Sequence, residues 1–449
     1  MPRSGQLVSG AAAVDITPQR SCFLYGYPHV ERQSTSAHDP LLASALYFSD
    51  GETSTLFIGN DVIFVPKQLA DRARKRIEEA TGVPADHVMV TATHTHSGPV
   101  TVKMLSNEAD PVVPEPDPDY LQQLEDGIVA AAERACAEAR PAKVGLGIAD
   151  GSGLGGNRHD PKGVSIPVVP VLAVQSIKDD SYIGVMVVCS MHPTVLHEDS
   201  TVISGDFPGL AREYLQEKVI GERCPVVYHM GAAGNQSPRH VTQSNTLEEA
   251  QRLGTILGES VAKALSMIVY EASLPIGCAV RSLSLPLREL PAVADADAGL
   301  RQAKQCFEQL KESGASRTQV RSAECDWFGA GETATLARAA ESGRLIEAAE
   351  ACMPATVQVI SVGGWSFVGW PGEVFVEFAL SIKEQFSDCH VVTLANGDLE
   401  GYLVTQQAIE AGTYESGNAI FRSPDSGLLL VEVTADLLTH DQAADGVRT

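Results

Sequence analysis

Two histidines, His94 and His96, stand two residues apart in the run THTHSGP, which closes an apolar stretch. If extended backbone continues through them, both imidazoles project from one face and share a small site. The alternative is a pair of hydrogen-bonded surface histidines. His192 follows another apolar run, and imidazoles at several strand ends suit a metal better than packing. A carboxylate would complete a nitrogen and oxygen donor set. Glu373, after the apolar segment FVGWPG, is the candidate, and its plainer role is a first-turn acid complementing a helix dipole.

Ser237 lies in GAAGNQSP, a small-residue turn that lets backbone approach a ligand. It is not in a GxSxG elbow, and a polar turn serine is the simpler reading. Arg158, flanked by glycines in GSGLGGNRHDPKG, is placed to clamp a carboxylate or an oxyanion, or is an exposed loop arginine. That glycine-rich run is no dinucleotide fingerprint, because Asn157, Asp160 and Pro161 follow where a helix should open. The cluster His197, Glu198 and Asp199 reads as solvated loop. Two rival readings stay open: a metal-free serine hydrolase or esterase using Ser237 with His96 or His240 as base, and a non-catalytic metal-bearing binding protein.

The elements that must position these groups alternate between short β-branched runs and longer helical stretches, which predicts an α/β protein of mixed β-sheets flanked by helices, with its site at strand ends. Strands are expected in 42–64, joined by the turn Asp50-Gly51, and Pro66 opens an amphipathic helix whose stripe is Leu69, Ala73 and Ile77. A strand over 87–93 delivers THTHSGP. The proline- and acid-rich loop 107–119 follows, either a lid or plain solvated loop. Further strands are expected at 168–176, 182–190, 225–230, 356–370 and 390–396, with helices at 120–139, from SGDFPG to about Val219, and at 247–268. A helix should begin at Pro371-Gly372-Glu373. Residues 296–352 read as a helical insertion, broken at Gly314 and at Gly329 and Gly331, within one domain spanning 1–449.

The net charge of −24 and a pI near 4.8 repel phosphate backbones and anionic lipid surfaces, so nucleic acid is excluded as a partner. No run of about 20 apolar residues offers an integral membrane span. The N-terminus lacks the apolar core of a signal peptide, and nine dispersed cysteines without a CxxC pair suit reduced thiols. A cytoplasmic location is the expectation, with a small-molecule substrate and the option of a homo-oligomer.

Taken in order, THTHSGP, the MHP at His192, SGDFPG, AAGNQSP, WPGE and YLVT with its later YE resemble the catalytic domain of the neutral ceramidases along nearly the whole chain. The resemblance implies a zinc-dependent amidohydrolase that cleaves an N-acyl bond. It implies zinc ligands at His94, His192, Glu373 and Tyr402. It also implies a catalytic His96, an Arg158 and a Tyr414 that stabilise the oxyanion, and an active-site Ser237 that binds substrate or acts as nucleophile. From residue chemistry alone Tyr402 would not have been chosen. The chain departs from the family at Arg239, where asparagine is usual, and at Val100, where glycine is usual; both are expected to border the substrate. The family's C-terminal immunoglobulin-like domain and secretion signal have no counterpart in these residues.

Overall fold

The structure, a computed structural model, describes residues 6–445. Its main sheet has eight strands: β1 (Val8–Asp15), β2 (Leu42–Ser49), β3 (Ser54–Asn60), β4 (Val88–Ala92), β5 (Arg140–Asp150), β6 (Val168–Ser176), β7 (Tyr182–Cys189) and β8 (Val226–Met230), in the order β8-β7-β6-β5-β1-β2-β3-β4. Hairpin neighbours pair antiparallel. The edges β4 and β8 pair parallel to β3 and β7, because each arrives through a helical crossover. A second sheet, β9 (Ile276–Leu283), β10 (Ala355–Val362), β11 (Trp365–Gly369) and β12 (Cys389–Val392), packs on its inner face.

Period-two alternation sorts the side chains of the main sheet between two cores. Leu56, Ile58, Val88 and Val90 face helices α1 (Lys67–Thr81) and α2 (Pro118–Ala137), while Phe57 and Met89 between them face Ile360, Phe367 and Val392 of the second sheet. At the other end Val171, Ala173, Val185 and Val187 pack on α3 (Asp206–Leu215) and α4 (Leu247–Leu265). The far face of the second sheet is covered by α8 (Val376–Gln385) and α11 (Asp425–Asp445), giving helix, sheet, sheet, helix in layers. The mixed α/β architecture expected from the chain is therefore the one found.

Between β9 and β10 lie α5 (Val293–Glu312), α6 (Arg317–Glu341) and α7 (Arg344–Cys352). Gly314 and Gly343 end α5 and α6 with φ of 68° and 82°, conformations that favour glycine. Gly329 and Gly331 do not break α6. Gly329 instead lets the short α10 (Tyr414–Gly417) come within backbone contact, since a Cβ there would sit 3.3 Å from Tyr414 O. Two further boundaries differ from expectation. The 356–370 run folds as two strands around Gly363-Gly364, and α8 starts at Val376, three residues after Glu373. Between α8 and α11 the chain also forms α9 (Gln406–Ala411) before α10. Cys189, Cys224, Cys352 and Cys389 are buried thiols. No helix among the described residues is long and apolar enough to cross a membrane.

Candidate metal centre

Strand β4 stops at Ala92, so the two histidines of THTHSGP do not share a face through strand alternation. His94 takes φ 69°, the left-handed region that side chains bearing a Cβ rarely adopt, and the chain reverses there. Held this way, the His94 and His96 rings lie 5.0 Å apart, nearly perpendicular. His192, just beyond β7, brings its ring to 4.8 Å from His94. Ring nitrogens of the three lie within 4.8 Å of one another.

The hydrogen bonds set the tautomers. His94 Nδ1 is 2.9 Å from the Ile63 carbonyl, and His192 Nδ1 is 2.8 and 2.9 Å from the carbonyls of Ala233 and Gln236. A carbonyl oxygen only accepts, so each Nδ1 carries the proton and each Nε2 presents a lone pair. Both Nε2 atoms face one oxygen, Oε2 of Glu373, at 3.2 and 3.0 Å. In the neutral tautomers these lone pairs meet around a point with no hydrogen to share, an arrangement that calls for a cation. Burial holds the His192 imidazole below its usual range, in the neutral form that binds metals. Glu373 itself is 6% exposed and lies outside any helix, so it is not a first-turn acid.

Tyr402 joins by a parallel two-residue bridge in which Glu373–Val374 pairs with Tyr402–Leu403, residue against residue. Its phenol is buried and hydrogen-bonded to Glu373 and Arg158; burial, then the Glu373 charge, pushes its pKa well up. The Arg158 guanidinium lies over the Tyr402 ring, 5.3 Å from its centroid, and ion-pairs with Glu415. Burial disfavours that cation, but Glu415 and then Tyr402 outweigh it and raise the pKa. Glu415, 1% exposed, also accepts from His159 Nε2 at 3.0 Å.

His96 is held differently. Neither of its ring nitrogens has a hydrogen-bond partner, and burial, then the neighbouring His94 and His192, keep its pKa well below normal. Its ring rests on Gly26, whose φ is 120° and where a Cβ would come within 2.3 Å of His96 Nδ1. Around these groups lies a cavity of about 70 Å³, lined by His94, His96, Glu373, Tyr402 and Tyr414 together with Tyr25, Gly26, Tyr27, Phe64, Met104, Asn107, Glu332 and Asn418.

The structure thus brings His94, His96, His192, Glu373, Tyr402 and Tyr414 together and ties Arg158 to them through Tyr402. Ser237 does not line the cavity. Its Oγ accepts from Arg239 N and caps the turn Pro238–His240, while His240 Nε2 contacts the Arg158 carbonyl. Val100, expected beside the substrate, is 5% exposed in the core under α1 and α2, because the chain turns inward after Gly98. Arg239 is exposed. The 197–199 loop is less solvated than expected: His197 stacks 4.4 Å from the Tyr27 ring and Glu198 reaches Arg321 of α6. Residue reasoning missed Gly26, Glu332 and Glu415. For Glu332 a signal existed, since its neighbours in GAGETATLA are small and uncharged, unlike a solvated helix face.

The site and layers define a two-sheet α/β protein with an imidazole and carboxylate centre at its strand ends. Comparison with known proteins narrows this class. The neutral ceramidase of Mycobacterium tuberculosis is 24% identical over 239 residues, which is 47% of this chain and 36% of that protein's length. The neutral ceramidase from Pseudomonas aeruginosa superposes with a TM-score of 0.73 at 16% identity, covering 96% of this chain and 74% of the other. A ceramidase complexed with C2 gives 0.72 at 17% identity over the same shares. No protein-family model matches the chain. The chain is thus similar in sequence to a bacterial neutral ceramidase over about half its length, spans about a third of that protein's length, and has the fold of the solved ceramidases.

Proposed function

We propose that the protein hydrolyses an N-acyl amide bond at a divalent metal, zinc, held by His94, His192, Glu373 and Tyr402. The observation that carries this reading is the meeting of two Nε2 lone pairs on one oxygen of Glu373, with both Nδ1 protons committed to backbone carbonyls. A zinc ion bound there supplies Lewis-acid activation of water and of the amide carbonyl. The likeness to ceramidases supports an amide as the bond cleaved.

The chain's own groups account for the proton and the charge. His96, neutral and with both ring nitrogens free beside the cavity, takes a proton from the attacking water and passes it to the leaving amine. Tyr414 lines the cavity, and its hydroxyl, which rests on Glu332 Oε1 at a long 3.4 Å, swings from that acceptor to donate to the oxyanion, a contribution of about 3 kcal/mol for one well-placed donor. Arg158 acts as a positioning residue. It holds the Tyr402 hydroxyl toward Glu373 and keeps positive charge behind it. The serine-hydrolase alternative finds no support in the position of Ser237, whose Oγ accepts from a backbone N–H instead of donating to an imidazole.

The test is elemental analysis alongside turnover of N-acyl substrates. The purified protein should carry about one zinc per chain, lose turnover to a chelator and regain it with zinc. His94→Ala, His192→Ala and Glu373→Ala should lose the metal, and Ser237→Ala should keep it. Full turnover by metal-free protein would sink the reading.

A further inference from the structure

One wall of the cavity is supplied by the insertion and carries a group that the chemistry above does not use. Glu332 of α6 is 7% exposed, yet no cation pairs with it. Its Oε1 receives a long hydrogen bond, 3.4 Å from the Tyr414 hydroxyl, the Asn418 amide is directed toward the carboxyl as a further donor, and its Oε2 meets no partner within hydrogen-bond distance. Asn418 beside it, also 7% exposed, leaves Oδ1 without a partner. Both residues line the cavity. A buried carboxyl without a counter-charge costs stability that Leu or Ala at this helix position would not, and the next turn does use Ala334 and Leu336, both fully buried.

We infer that Glu332 is the specificity-determining residue of this site and that it selects a short N-acyl amino polyol, whose hydroxyl groups donate to Glu332 and Asn418, over long-chain N-acyl lipids. The inference rests on the amide hydrolase reading above. Two observations lead to it. The unpartnered oxygens on this wall are acceptors, so the matching ligand brings donors. The cavity, about 70 Å³, is far below the roughly 300 Å³ at which pockets begin to enclose larger ligands, so it encloses a small hydroxylated substituent and leaves a long chain outside it.

The experiment compares kcat/KM of the zinc-loaded protein for three probes: N-acetylglucosamine, N-acetylcyclohexylamine as its hydroxyl-free counterpart, and an N-hexadecanoyl amino alcohol in zwitterionic micelles. The parent should prefer the hydroxylated probe over its counterpart by about a hundredfold or more. Glu332→Leu should bring that preference below about tenfold by losing the hydroxylated probe alone, with zinc content unchanged. If Glu332→Leu does not fold, the isosteric Glu332→Gln carries the test and should lower the preference about tenfold. Equal losses on both short probes, or a parent that favours the hexadecanoyl probe, would overturn the inference while leaving amide hydrolysis standing. A zinc-loaded parent that cleaves none of the three overturns the hydrolase reading and this inference with it.

Discussion

At the scale of residues, the centre depends on backbone that only certain side chains tolerate. Gly26 shows this most directly, because its φ of 120° and its contact with His96 each exclude a Cβ. His96 has no hydrogen bond to hold its ring, so packing against Gly26 and the tilted Tyr27 ring, 5.2 Å away, is what fixes it. Gly26→Ala is therefore expected to cut kcat at least about tenfold with zinc content unchanged, since a displaced general base loses much of a contribution usually worth 10²–10⁴. Stopped assays and elemental analysis on the same preparation check it, and normal turnover would place His96 outside the chemistry. The histidines were legible in the sequence because their motifs announce them. Gly26 was not, because nothing in the one-dimensional pattern shows that residue 26 meets residue 96.

Elements matter next, since the site is assembled from segments with no local reason to meet. The strands were readable from alternation, and 168–176 was placed to the residue. The short bridge that sets Tyr402 beside Glu373 was not, because two-residue pairings leave no periodicity to detect. The same holds for Glu415, on a four-residue helix, which anchors Arg158 from the bridge segment Gly156–Asn157. Arg158, with His159, depresses the Glu415 pKa to about 2 against the burial that would raise it. A depressed carboxylate stabilises the fold fully above its unfolded value near 4.5, and that stability disappears as pH falls toward 2. The difference corresponds to about 3 kcal/mol. Glu415→Gln should thus lower the denaturation midpoint most at pH 6–7, and the gap to the parent should shrink by pH 3. A gap that stays constant across that range would mean the ion pair does not link these elements.

For the whole molecule, the layers leave the candidate metal centre at strand ends under the α6 insertion, and the chain as a whole carries a formal net charge of −24. Such a field acts over about 8 Å at physiological ionic strength, so it governs what approaches and has little say in the chemistry inside. An anionic bilayer repels a chain of this net charge. The protein is therefore expected not to co-sediment with phosphatidylserine vesicles at 0.15 M salt, and its turnover of a neutral, water-soluble N-acyl probe should be nearly unchanged between 0.05 and 0.5 M salt. Flotation assays and initial rates measure the two. Tight vesicle binding that weakens as salt rises would show a local basic face strong enough to override the global charge, and with it a route to membrane-borne substrates that a cavity of about 70 Å³ does not by itself suggest.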